Sequence, residues 1–101
     1  MQLHGIHIPE RPVQAICARY GALRLSLFGS ILRDDFGPHS DVDVLVEFEP
    51  GGGPGLFGFA GMQSELSECF GRSVHLHTPS MLGPTFREAV QREARVVRHA
   101  A

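Results

Sequence analysis

The stretch Phe28 to Phe48, FGSILRDDFGPHSDVDVLVEF, decides how this chain is read. It opens with a Gly-Ser turn directly after an apolar run, places Arg33 three residues beyond Ser30, and ends in a strand pattern led by two aspartates one residue apart. Side chains on a strand alternate faces, so Asp41 and Asp43 project from one side with Cα atoms roughly 7 Å apart. Two like charges on one face repel each other and lose hydration when covered, so a positive group belongs beside them. A divalent ion is the simplest such group, because hard cations such as Mg²⁺ take carboxylate oxygens and share their coordination with substrate phosphates. Gly29 and Ser30 suit the phosphate side of such a site. Glycine lets the backbone approach a ligand, and the amides and hydroxyl that follow can face phosphate oxygens. A lone D-x-D is common and usually only faces water. The ordered set Gly29-Ser30, Arg33, Ser40-Asp41 and Asp43 is far less common, and it points to a metal and nucleotide site.

Outward from this stretch, the pattern gives alternating helices and strands. Leu23, Leu25 and Leu27 alternate with Arg24, Ser26 and Phe28 as a strand feeding into Gly29. Upstream, Val13, Ile16, Cys17 and Tyr20 recur at helical spacing behind Pro12, and Gly21 marks the end. Met1 to Ile8 has no clear period and reads as a lead-in, with His4 and His7 exposed. On the second strand Val42, Val44, Val46 and Phe48 take the buried face, while Asp41, Asp43, Leu45 and Glu47 share the other, with Glu47 at the rim.

Glu49 to Gly55, EPGGGPG, is the clear break in the chain and reads equally as a plain linker or a moving flap. A helix then follows, with Leu56, Phe57, Phe59, Met62, Leu66 and Phe70 as its apolar stripe and the polar residues of Ser64 to Glu68 outward. Ser73 to Thr78 is a third strand with Val74 and Leu76 on one face and His75 and His77 on the other. The last helix runs from Pro84 to Arg92 with Phe86, Ala89 and Val90 inward. Arg87, Arg92, Arg95 and Arg98 form a basic tail region, and Val96-Val97 is either a short edge strand or the frayed helix end.

Composition bounds the function. The 101 residues hold one domain, 1–101, with a modest core. A net charge of −2 excludes a protein that grips nucleic acid by overall charge. No apolar run is long enough to span a bilayer and the amino terminus lacks a signal-peptide pattern, so a cytoplasmic location is expected. Cys17 and Cys69 belong to no C-x-x-C pair and are expected as free thiols. All nine basic residues are arginine, a bias to which no function is attached.

The Gly29-to-Asp43 stretch resembles the signature of the minimal nucleotidyltransferases of the DNA polymerase beta superfamily. In that family glycine and serine, an arginine, then serine, aspartate, any residue and aspartate recur at this spacing. Leu32 and Asp34 stand where a small residue and a glycine are usual; they crowd the turn and remove no ligand. The resemblance implies an α+β nucleotidyltransferase fold of the polymerase beta-like type, a mixed central sheet with helices packed mainly on one side. It implies Asp41 and Asp43 as the first two metal carboxylates and Gly29, Ser30, Arg33 and Ser40 as the residues around the triphosphate. The family usually writes the later strand valine, aspartate, leucine, so His75 takes the place of the third carboxylate and completes the implied catalytic and metal set of Asp41, Asp43 and His75.

The implied activity is metal-dependent transfer of AMP, or another nucleotidyl group, from ATP or another NTP to a hydroxyl. Small single-domain members are often antitoxins paired with a HEPN-domain ribonuclease toxin whose tyrosine they adenylylate. The implied partner is therefore such a toxin, in complex with this chain, and not nucleic acid or membrane. Mg²⁺ is the implied cofactor, with Mn²⁺ or Zn²⁺ admitted by His75, whose neutral nitrogen suits those ions better. Three readings of His75 stay open: a working site with altered metal preference, a site that binds nucleotide and transfers slowly, or a degenerate module that neutralises its partner by binding alone.

Overall fold

The computed structural model describes residues 2–99. The chain opens with a small hairpin, β1 (Gln2–Leu3) and β2 (Ile6–His7), where the sequence predicts an unpatterned lead-in. His4 and Gly5 turn it with φ of 51° and 77°, the pair of positive values a two-residue hairpin turn requires. Two-residue strands are too short to show a period, yet they drive Ile6 and Ile8 into the core. Helix α1 (Glu10–Tyr20) buries Val13, Ile16 and Cys17, and it ends where the pattern predicts. There Gly21, at φ 74°, donates its N–H to the Cys17 carbonyl in the left-handed conformation that glycine adopts without strain.

The remaining elements are β3 (Ala22–Phe28), a 3-10 turn (Gly29–Leu32), β4 (Val42–Phe48), α2 (Gly55–Phe70), β5 (Val74–His77), a second 3-10 turn (Pro79–Met81), α3 (Pro84–Glu93) and β6 (Arg95–His99). The sheet order is β5-β4-β3-β6. β4 pairs with β5 in parallel and with β3 antiparallel, and β6 closes the other side of β3 antiparallel, so the sheet is mixed. Leu25 and Leu27, Val42, Val44 and Val46, and Val74 and Leu76 share the face covered by α1 and α2, where the main core lies. The opposite face carries a smaller cluster of Phe28, Leu45, Leu82 and Val90, to which α3 contributes only Val90. Among the described residues, α1 and α2 therefore cover one face, and on the other face the His75 side chain of β5 stays 56% exposed.

Several expected core positions lie elsewhere. A register shift between Ala22 and Arg24 breaks the alternation and leaves Leu23 exposed. Leu56 and Phe57, expected in the α2 stripe, are 81% and 91% exposed, and the buried stripe is Met62, Leu66 and Phe70. Phe86 is likewise exposed on α3, and so is Ala89. The residues expected to face solvent between Ser64 and Glu68 include two that turn inward: Glu65 accepts hydrogen bonds from Tyr20 and Arg19 of α1, and Ser67 reaches β5. Val96 and Val97 belong to the edge strand β6. Cys17 and Cys69 are free.

Candidate active site

The parallel pairing of β4 with β5 builds the site. Its register sets Asp43 opposite His75 and Leu45 opposite His77, so these side chains rise from the face that α1 and α2 do not cover. Asp43, His75 and His77 each offer one donor atom, and the three atoms lie within 4.8 Å of one another. Asp41, just before β4, attaches to the edge of this group, its Oδ2 3.2 Å from His75 Nε2. His77 Nε2 is 3.5 Å from Asp43 Oδ1, and it is shut from solvent with no hydrogen-bond partner among the described residues. The Phe28 ring packs edge-on against His77, with centroids 5.3 Å apart. Exposure falls inward across the site, from 56% at the His75 side chain and 42% at Asp41 to 29% at Asp43 and 26% at His77.

An edge strand needs partners for its outward amides, and α2 supplies them to β5. The Val74 N–H donates to Ser67 Oγ at 3.0 Å and the Leu76 N–H to Gln63 Oε1 at 2.9 Å. The Ser67 hydroxyl in turn donates to the Gln63 carbonyl at 2.9 Å. These contacts fix the strand on which both histidines stand.

Gly29 lies against Asp43. Its φ is 78°, and a Cβ built there would come 2.5 Å from Asp43 Oδ2, so both backbone and space demand glycine. Ser30, the second residue of the 3-10 turn, is half-buried, and its carbonyl accepts the Arg33 N–H at 2.9 Å. The Arg33 side chain is 56% exposed, 3.7 Å from Asp35 and 4.0 Å from Glu93. The Ser40 hydroxyl accepts the Gly37 N–H at 2.9 Å and so closes its own loop. Glu47, on the aspartates' face of β4, pairs with Arg24 across the β3–β4 ladder at 3.6 Å.

Sequence reasoning did not single out Arg72. One of its terminal nitrogens donates to the carbonyls of Gly37 (2.8 Å) and Ser40 (2.6 Å), and its guanidinium lies 4.8 Å over the Phe36 ring. It clamps the loop that delivers Asp41 to the sheet. Nothing in the local pattern marks a single arginine after a helix-ending glycine for this. His77 did carry a signal, since it shares its strand face with His75.

The clustered donors of one carboxylate and two imidazoles, with the Asp41 carboxylate at their edge, fit a divalent cation: the carboxylates are oxygen ligands of the kind Mg²⁺ takes, and the imidazoles are nitrogen ligands that softer ions take. Among the described residues, no helix is long and apolar enough to cross a membrane.

Residues 10–97 match the family model described as the nucleotidyltransferase domain. The chain is 33% identical over 85 residues to a candidate protein adenylyltransferase of Methanocaldococcus jannaschii, covering 84% of this chain and 89% of that protein. It is 35% identical over 75 residues to the protein adenylyltransferase MntA of Thermococcus cleftensis, covering 74% of each. Among solved structures, a candidate minimal nucleotidyltransferase superposes with a TM-score of 0.71 at 38% identity, over 84% of this chain and 85% of that one. A toxin-antitoxin crystal structure with AMP-PNP gives a TM-score of 0.71 at 14% identity, over 90% of this chain and 73% of that one, a likeness of fold.

Proposed function

We propose, because this chain belongs to the nucleotidyltransferase domain family in its minimal form, that it transfers AMP from ATP to a hydroxyl of a partner protein. That it is a nucleotidyltransferase follows from the family; the nucleotide, the acceptor and the roles of the residues are the proposal. Its relatives of matching length carry the name protein adenylyltransferase, which supports a protein as acceptor. The acceptor we name is a tyrosine of a HEPN-domain toxin, which would make this chain an antitoxin, and the toxin-antitoxin complex that shares its fold is in keeping with that role.

The observation that carries the reading is the packing of Gly29 against Asp43, with a second carboxylate, that of Asp41, 3.2 Å from His75 at the edge of the same group. Asp41 and Asp43 would hold the divalent ion that accompanies the triphosphate, and such an ion would supply positive charge to the attacking oxygen and to the leaving pyrophosphate. Gly29 lets the backbone approach the phosphates, with Ser30 at the start of the turn, Arg33 at its outer rim and Ser40 holding the loop beside them. The acceptor oxygen attacks the α-phosphorus in line, the bond from that phosphorus to the bridging oxygen breaks, and pyrophosphate leaves. The proton released from the acceptor goes to the Asp41–His75 pair, which lies at the solvent-facing edge.

The test is incubation with α-labelled ATP, a divalent ion and the product of the neighbouring gene. Label is expected on a tyrosine of that product, and is expected to be lost in an Asp41→Asn, Asp43→Asn double variant. A second reading is favoured by His75 alone, the histidine in the place of a carboxylate: a module that neutralises its partner by binding. It predicts that the same double variant still neutralises the partner, with no label transferred by the unmodified chain.

A further inference from the structure

We infer that Asp43, His75 and His77 form a two-histidine, one-carboxylate site for a first-row transition ion, Mn²⁺, Co²⁺ or Zn²⁺, with His77 as a ligand of that ion. The inference rests on the proposed nucleotidyl transfer, because the site is the same; it adds a ligand and identifies the class of ion.

Three observations carry it. The donor atoms of the three residues lie within 4.8 Å of one another, close enough for small side-chain rotations to bring them onto one ion at the roughly 2.0–2.2 Å typical of nitrogen and carboxylate ligands. His77 Nε2 is buried and makes no hydrogen bond among the described residues, 3.5 Å from the Asp43 carboxylate. A buried polar nitrogen without a partner is uncommon, and an ion between it and the carboxylate would satisfy both. The third observation is how firmly the site is supported. Gln63 and Ser67 fix β5 from its outer edge, and the Phe28 ring packs against His77. Asp41 stands at the edge of the cluster, its Oδ2 3.2 Å from His75 Nε2.

The chemistry of the set decides the ion. Mg²⁺ prefers oxygen and releases its water reluctantly, whereas imidazole suits the later first-row ions. Two imidazoles and one carboxylate leave open positions for triphosphate oxygens.

The test uses the full chain, stripped of metal and without nucleotide or acceptor. Pulsed electron paramagnetic resonance of the Mn²⁺-loaded protein is expected to show couplings to two imidazole nitrogens. Titration with Zn²⁺ is expected to give one tight site, weakened at least tenfold in His77→Ala and in His75→Ala and kept in His4→Ala. Should a histidine-to-alanine variant lose its cooperative thermal transition, the Mn²⁺ spectrum of the unmodified chain decides alone. Absence of nitrogen coupling, or a folded His77→Ala variant that binds Zn²⁺ as tightly as the parent, overturns the inference. Neither readout involves transfer to an acceptor. Failure here therefore leaves the proposed reaction standing, and failure of label transfer leaves these couplings to be observed or not.

Discussion

At the scale of single residues, the site is organised by contacts that forbid substitution more than by attraction. Gly29 has a left-handed backbone and no room for a Cβ, because Asp43 Oδ2 already occupies that position. Gly29→Ala is therefore expected to cost about 1–3 kcal/mol from backbone strain, and to push the Asp43 carboxylate out of its place beside the turn. Denaturant unfolding together with labelled-ATP turnover checks this: a modest drop in stability with at least a tenfold drop in turnover is expected, and unchanged turnover would show that the Gly29–Asp43 contact does not position the carboxylate. Gly29, Asp41, Asp43 and His75 were legible because their types and spacing carry chemistry within one short stretch and one strand. His77 was visible on the right face but had no motif to claim it. Its part emerges only from the parallel register that brings β5 beside Asp43.

At the scale of elements, the loop between the two halves of the motif is held from a distance. Residues 35–40 form no helix or strand, yet Asp41 must arrive at a fixed place, and Arg72 fixes it through two backbone carbonyls and the Phe36 ring. Charged hydrogen bonds of this kind are worth about 1.5–3 kcal/mol each when well enclosed, and less here because the side chain is half-buried. Arg72→Ala is expected to lower stability by about 1–2 kcal/mol. Its turnover is expected to fall several-fold further than its thermal transition would suggest, with faster amide exchange at Ser40 and Val42. Amide exchange that stays at the parent's rate would show that the loop holds its shape unaided. Sequence reasoning could not find this link, because it joins positions far apart in the chain through carbonyls every residue possesses. The helical stripe of α2 was misread for a related reason. Periodicity marks Leu56 and Phe57 as inward, but whether a first turn lies over the sheet depends on where the Gly/Pro connector releases the helix, and it releases it early.

At the scale of the whole molecule, the architecture was legible because strands β3 to β5 and all three helices carry patterns longer than their breaks. The hairpin β1–β2 was not, being too short for a period to stand out, and β6 was legible only as one of two alternatives, a short edge strand or a frayed helix end. The tertiary order nonetheless has a direct reporter in the two thiols. Cys17 lies fully buried where α1 meets the sheet, and burial raises its pKa above the ordinary 9.0, with Arg98 nearby opposing that shift. Cys69 lies half-buried on α2, and burial raises its pKa as well. The thiolate is the reactive form, so at about pH 8 both thiols are expected to be less reactive than free cysteine, Cys17 through enclosure as well as charge. Labelling the native protein with a thiol reagent is expected to modify Cys69 first and Cys17 only as the whole domain opens. The Cys17 rate should rise with denaturant along the unfolding curve. If Cys17 were instead labelled as fast as Cys69 in the absence of denaturant, α1 would be leaving the sheet on its own, and the single cooperative core of α1, α2 and the sheet would have to be divided.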